Sequence, residues 1–117
     1  TRRLNQRVMN QHYRNKFNVD YPPPPLEGTD TIIPITNGLD LIKEAEEQRN
    51  CVATYHNDIV RGEYYVYQVL APERATLGFA LAYGQRPKLD QIYLKRNKKV
   101  SEETMKVVMT WLELKGG

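Results

Sequence analysis

The run Pro22-Pro23-Pro24-Pro25 constrains this chain more than any other stretch. Each proline holds φ near about −65° and removes a backbone donor, so the run must be an extended polyproline II strut about 12 Å long. No helix crosses it. A strut of this kind can serve an aromatic-lined groove on another protein. In a chain of 117 residues with eight tyrosines, a spacer laid across the chain's own core is the more economical reading.

Residues 31–35, Thr-Ile-Ile-Pro-Ile, read as a short extended edge, because Pro34 cannot donate to a central ladder. Thr36 or Asn37 then caps a helix, with Asp40 in capping-box position. Its apolar stripe is Leu39, Leu41, Ile42 and Ala45, and Glu44, Glu46 and Glu47 make the other face acidic. Asn50 is expected to cap a second helix opening at Cys51, with Val52, Tyr55 and Ile59 inward and Gly62 as its left-handed stop. The period then changes from helical to two. Tyr65, Tyr67 and Val69 share one face of a strand, opposite Tyr64, Val66, Gln68 and Leu70. Residues 71–74 turn the chain into a second strand with a small-residue face (Gly78, Ala80, Ala82), and residues 89–95 form a third.

Asn97-Lys98-Lys99 reads as a basic loop. Ser101 caps a closing helix with Val100 and Met105 as a hydrophobic staple and Met105, Val108, Met109 and Leu112 as its stripe; Trp111 lies beside that stripe and Gly116 ends it. The expected architecture is α+β: a three-stranded antiparallel β-meander packed with about four helices. It divides into a basic N-terminal helix (residues 1–19), a proline-rich strut and edge segment (20–35) and a core (36–117), all within a single domain.

Charge is segregated. Residues 1–16 carry Arg2, Arg3, Arg7, Arg14 and Lys16 and no acid, while residues 86–99 carry Arg86, Lys88, Lys95, Arg96, Lys98 and Lys99 against Asp90 alone. The middle is acidic. Two cationic blocks of this kind suit a polyanion, and the amide-rich residues 4–18 fit a segment lying along nucleic acid or a protein partner. They also fit a solvated face. One cysteine forms no intrachain disulfide and suits a reducing, cytoplasmic compartment, and no apolar run reaches the roughly 18 residues of a membrane span. The chain opens without Met and closes on Lys115-Gly116-Gly117, the ends expected of a piece of a longer polypeptide.

Cys51 has two readings. In the first turn of a helix, beside Arg49, a thiolate would be favoured; next to Val52 and Ala53, a small buried hydrophobe is the simpler role. A Cys–His pair within that helix fails on geometry, since His56 stands about 140° around from Cys51. His12 cannot be placed. One Cys and two scattered His do not fill a zinc site, and neither metal nor cofactor is expected. Asp58, Glu63 and Glu73 would make a nuclease-like cluster only if the fold gathered them. A polar site is better supported: Arg74, Thr76, Gln91, Lys95 and Asn97, from adjacent strands and the following loop, would converge near Cys51 and Tyr55 and suit an anion. Alternatively, Gln91 and Asn97 satisfy turns and Arg74 pairs with Glu63 or Glu73.

Several landmarks together resemble the PcfJ-like proteins, a bacterial family of conjugative plasmids, phages and other mobile elements. They are Tyr21-Pro22-Pro23-Pro24-Pro25-Leu26, Ile33-Pro34-Ile35-Thr36, Gln48-Arg49-Asn50-Cys51-Val52-Ala53-Thr54-Tyr55, Arg61-Gly62-Glu63, Val69-Leu70-Ala71-Pro72-Glu73-Arg74-Ala75-Thr76-Leu77, Gln91 with Asn97, and Val100-Ser101-Glu102. The resemblance covers about residues 20–113. It departs at Arg49, where many relatives carry His, and at Leu94, where Gly is common; the first departure weakens a His–Cys pair. The resemblance implies an association with mobile DNA and no established activity. Three functions are therefore expected. The leading one is an accessory module binding nucleic acid or a protein partner through the basic segments. The second is an enzyme acting on nucleic acid or a nucleotide through Cys51, Tyr55, Arg74, Gln91 and Asn97. The third is a purely structural interaction domain.

Overall fold

Five antiparallel strands, in sheet order identical to chain order, form the frame of the molecule. The structure is a computed structural model describing residues 15–116. The helix expected over residues 4–17 thus lies outside the described residues except at 15–17, which are helical, and Arg2, Arg3, Arg7 and Arg14 lie outside them too. The strands are β1 (Ile32–Pro34), β2 (Tyr64–Val69), β3 (Ala75–Ala80), β4 (Lys88–Leu94) and β5 (Lys98–Lys99). The α+β class is as expected, but the meander has five strands rather than three. The edge segment pairs with β2, Ile32 opposite Val69, while the expected basic loop pairs with β4, Leu94 opposite Lys98. Lysines at a sheet edge carry no strand propensity of their own. The turn before them, with Arg96 and Asn97 both left-handed, returns the chain onto β4.

Between β1 and β2 stand α1 (Gly38–Gln48), a single 3-10 turn (Val52–Tyr55) and α2 (His56–Val60). Asn37 caps α1: its Oδ1 accepts from the Asp40 amide at 2.9 Å and its Nδ2 donates to the Asp40 carboxylate at 3.0 Å. The helix ends at Arg49, a left-handed residue whose amide reaches back to the Ala45 carbonyl. Glu44, expected on the acidic outer face, is instead buried at 3% exposure. It faces β3 and binds the Arg74 guanidinium and the Thr76 hydroxyl, and that pairing is what permits a carboxylate there. Arg74 therefore pairs with Glu44 and Glu47, not with Glu63 or Glu73. Gly62 supplies the expected positive φ of 76° after α2.

β2 is covered on both faces, so all its residues but Gln68 are buried. One face meets α1, the 3-10 turn and α2. The other meets the proline strut and α3 (Glu102–Gly116). There the strut spans the core's own tyrosines, as expected: the Tyr65 hydroxyl donates to the Pro22 carbonyl at 2.9 Å, and the Tyr67 hydroxyl both donates to the Leu26 carbonyl and accepts from the Leu26 amide. α3 is capped by Ser101, whose Oγ accepts from the Thr104 amide. Its buried stripe is Thr104, Val108 and Trp111, rotated from the one expected, and Met109 is exposed. Trp111 is central rather than peripheral. It meets Tyr67 at 5.2 Å and Phe79 at 5.9 Å, and its indole N–H donates to the Glu27 carbonyl. Each fully buried large side chain of this kind contributes about 1.5–3 kcal/mol through burial, so the strut, α3 and sheet hold one another. No helix among the described residues is long and apolar enough to cross a membrane.

Candidate functional site

The face of the sheet turned toward α1 and α2 is narrowed by Gly78. The Tyr64 side chain crosses it so closely that a Cβ at this position would lie 2.1 Å from the Tyr64 hydroxyl oxygen. That ring is fixed from three sides. Tyr55 stacks on it at 4.1 Å with the planes 10° apart, the Tyr64 hydroxyl donates to Asp90 at 2.8 Å, and Gln91 Nε2 donates to it at 2.8 Å. Neighbouring strand residues ordinarily face opposite sides. Here a bulge lets both reach Tyr64: Leu89 pairs with Phe79 and Gln91 with Gly78, leaving Asp90 as the extra residue. Burial, together with the Asp90 carboxylate, pushes the Tyr64 hydroxyl well above the usual phenol range, even though the Gln91 hydrogen bond opposes this. Tyr64 is a neutral strut of the site.

Beside it lies a cavity of about 350 Å³ lined by Asn50, Cys51, Val52, Thr54, Tyr55, Thr76, Gln91, Tyr93 and Asn97. The chain enters its wall at Asn50, whose Oδ1 accepts from the Val52 amide at 3.0 Å and whose Nδ2 donates to Thr76 Oγ1 at 3.2 Å. Asn50 therefore turns the chain as expected, but it opens a 3-10 turn rather than an α-helix. Cys51 precedes that turn and is exposed, so neither the first-turn position nor the buried-hydrophobe role holds. Thr54 Oγ1 donates to the Cys51 carbonyl at 2.7 Å and tightens the loop.

The fold brings Cys51, Tyr55, Thr76, Gln91 and Asn97 together and leaves Arg74 and Lys95 out. Arg74 is turned toward α1. Burial opposes its charge, but the hydrogen bonds and charges of Glu44 and Glu47 outweigh this and raise its pKa. A separate open depression carries Arg74 with Glu47, Gln48, Glu73, Leu94, Lys95, Arg96 and Lys98. Tyr93, Thr54 and Asn50 line the cavity and were not anticipated as site residues. Tyr93 carried a usable signal, since it stands two residues beyond Gln91 and so shares its face.

His56 takes no part. It is buried against Phe17 at 4.2 Å, and its Nδ1 is 2.8 Å from the Tyr21 hydroxyl. Burial and the nearby Lys16 charge lower its pKa, with a backbone hydrogen bond to Lys16 opposing them. Asp58, Glu63 and Glu73 do not assemble either. Asp58 and Glu63 both pair with Arg61, while Glu73 accepts from the Ser101 amide at 2.8 Å and the Thr104 hydroxyl at 2.6 Å at the start of α3. Among the described residues no group of three or more His, Cys, Asp or Glu could hold a metal ion.

The second basic block is divided by β4. Arg86 and Lys88 stand at one end of the strand and Lys95, Arg96, Lys98 and Lys99 at the other, about 20 Å away at a strand's rise per residue. All six are exposed, as is Lys16. None of the four in the β4–β5 hairpin has an ion-pair partner among the described residues. The cross-strand register sets Thr76 opposite Tyr93 and Tyr93 opposite Lys99. Directly paired residues point to the same side, so Lys99 flanks the cavity. Asn97, left-handed at φ 60°, belongs to both the hairpin turn and the cavity wall.

Compared with known proteins, residues 1–109 match the family model described as PcfJ-like protein. No curated protein and no solved structure matches the chain.

Proposed function

The chain belongs to the PcfJ-like protein family, and on that premise we propose that it is a non-catalytic accessory module of a plasmid- or phage-borne system, binding nucleic acid in the cytoplasm. The observation that carries this reading is the β4–β5 hairpin. Its four cations, Lys95, Arg96, Lys98 and Lys99, are exposed without carboxylate partners among the described residues, and Lys99 stands beside a cavity whose described lining is uncharged and amide-rich. Unpaired surface cations gain most from phosphates, because binding releases the polyanion's condensed counterions. Arg2, Arg3, Arg7, Arg14 and Lys16 would extend the footprint, and Arg86 and Lys88 would add to it only for a ligand long enough to follow β4.

The test is binding of labelled DNA and RNA followed by fluorescence anisotropy across a salt series. Affinity should fall steeply with salt, and neutralising the four hairpin cations together should remove roughly three from the log–log slope for a single strand. Cys51→Ala should leave the salt dependence unchanged. Absence of binding at low salt rejects the reading.

An enzyme working through Cys51 is the second reading, favoured by the thiol's exposure on the cavity wall. Against it, no histidine or carboxylate among the described residues lines that cavity, so within them a thiol nucleophile has no neighbouring base. Loss of any detected turnover in Cys51→Ala would support it.

A further inference from the structure

The cavity differs from an anion pocket in a way that selects its occupant. Among the described residues its lining carries three amides (Asn50, Gln91, Asn97), hydroxyls and two tyrosine rings, and no charged side chain. Asn50 uses both its oxygen and its nitrogen within the fold, but Gln91 spends only its Nε2 group, on Tyr64, among the described residues. Its carbonyl oxygen is left to accept. The Asn97 amide and the Tyr55 and Tyr93 hydroxyls take part in no hydrogen bond with other described residues. These are the donors and acceptors that read a flat heteroaromatic edge, and Tyr93, 41% exposed, offers a ring at the mouth. The volume of about 350 Å³ lies at the small end of ligand sites. The adjacent positive charge, Lys99 opposite Tyr93, is outside the cavity rather than in it.

We propose that this cavity receives one unstacked base of a single-stranded nucleic acid, with Tyr93 as its stacking platform, Gln91 and Asn97 on its edge, and Lys99 on the adjoining phosphate. The inference rests on the nucleic-acid reading above and narrows it to a substrate class. A base held in a duplex cannot enter, because its edge is paired and its faces are stacked. The site therefore prefers single strands, loops or frayed ends over uninterrupted duplex. Fixed side chains aid this. The bulge at Asp90 and the Tyr55–Tyr64 stack hold Gln91 in place before any ligand arrives.

The experiment uses the full chain and fluorescence anisotropy with labelled oligonucleotides of about 12 nucleotides: base-bearing single strands of DNA and RNA, a single strand of the same length with abasic sites, and a matched duplex. The base-bearing strands should bind more tightly than the abasic strand or the duplex. Tyr93→Ala should weaken base-bearing strands about five- to a hundredfold, the range of one lost base–aromatic stack, and leave the abasic strand unchanged. Tyr93→Phe, which keeps the ring and loses only the hydroxyl, should retain most of the affinity. Asn97→Gly keeps the left-handed turn open to the backbone while deleting the amide, and should alter the preference among bases without reducing the salt dependence. Circular dichroism checks that each variant is folded. Equal binding of abasic and base-bearing strands, or folded Tyr93→Ala and Gln91→Ala variants with unchanged affinity, overturns the base pocket and leaves the nucleic-acid reading standing. Failure of every oligonucleotide to bind overturns both.

Discussion

The Tyr67 hydroxyl closes a two-way bond with Leu26, donating to its carbonyl at 2.6 Å and accepting from its amide at 2.9 Å. A side chain from the central sheet thereby takes the place of a neighbouring strand for a residue just past the prolines. Both residues are buried. Tyr67→Phe keeps the ring and its contacts with Phe79 and Trp111 but leaves two backbone groups without partners. A loss of about 2–3 kcal/mol is expected in urea unfolding.

The Glu44–Arg74 pair should respond asymmetrically. Arg74 is 30% exposed and Glu44 3%. Arg74→Ala strands a carboxylate in the interior and should cost about 3 kcal/mol, whereas Glu44→Gln leaves the part-exposed Arg74 its Glu47 partner, keeps a partner for Thr76 and should cost less. Equal losses in equilibrium unfolding would refute this assignment of burial.

Gly78→Ala drives a methyl group into the Tyr64 hydroxyl. Because that ring is stacked and hydrogen-bonded, it has no free direction in which to give. Overpacking should cost about 1–3 kcal/mol, and displacement of Tyr64 should perturb Tyr55 and Gln91. The combined readout is a lower midpoint in thermal unfolding and changed amide shifts at Gln91.

His56 and Glu73 set two different acid limbs. Both have lowered folded-state pKa values, His56 from its ordinary 6.5 and Glu73 from 4.5. The unfolded chain then binds protons more readily, so stability rises with pH through each window. The His56 contribution is complete above about pH 6.5 and is lost as pH falls through its lowered value. The Glu73 contribution, owed to the Thr104 and Ser101 hydrogen bonds, is lost below the usual carboxylate range. Urea midpoints from pH 4 to 8 should therefore flatten in the upper window, and not the lower, on His56→Gln.

What could be read from the residues depended on how local the cause was. The Asn37–Asp40 cap, the Ser101 cap and the Gly62 stop each rest on short-range rules, and each appears as expected, as does the strut across tyrosines that lie 41 to 43 residues away. The buried Glu44 escaped notice because its partner lies 30 residues away and its neighbours Glu46 and Glu47 share its type. β5 escaped because two lysines carry no strand signal; the left-handed Asn97 before them was the available clue. In the site, Cys51, Tyr55, Gln91 and Asn97 were singled out together and do line one cavity, while Arg74 was misplaced by the same unseen partner. The α3 stripe was counted from Met105, and starting from Thr104 places Trp111 at the centre. The spacing of Leu89, Ile92 and Leu94 also held an unread sign. Three then two is not a strand's rhythm, and one supernumerary residue reconciles it.

That supernumerary residue has a wider reach than its own contacts. Pulled straight, with Asp90 opposite Gly78, the same strand would turn Ile92 and Leu94 toward the amide-lined hollow and press Gln91 and Tyr93 beneath the closing helix. The chemistry of one whole wall, and the side served by Lys99, is thus decided by parity at a single upstream position rather than by the identity of the wall's own residues.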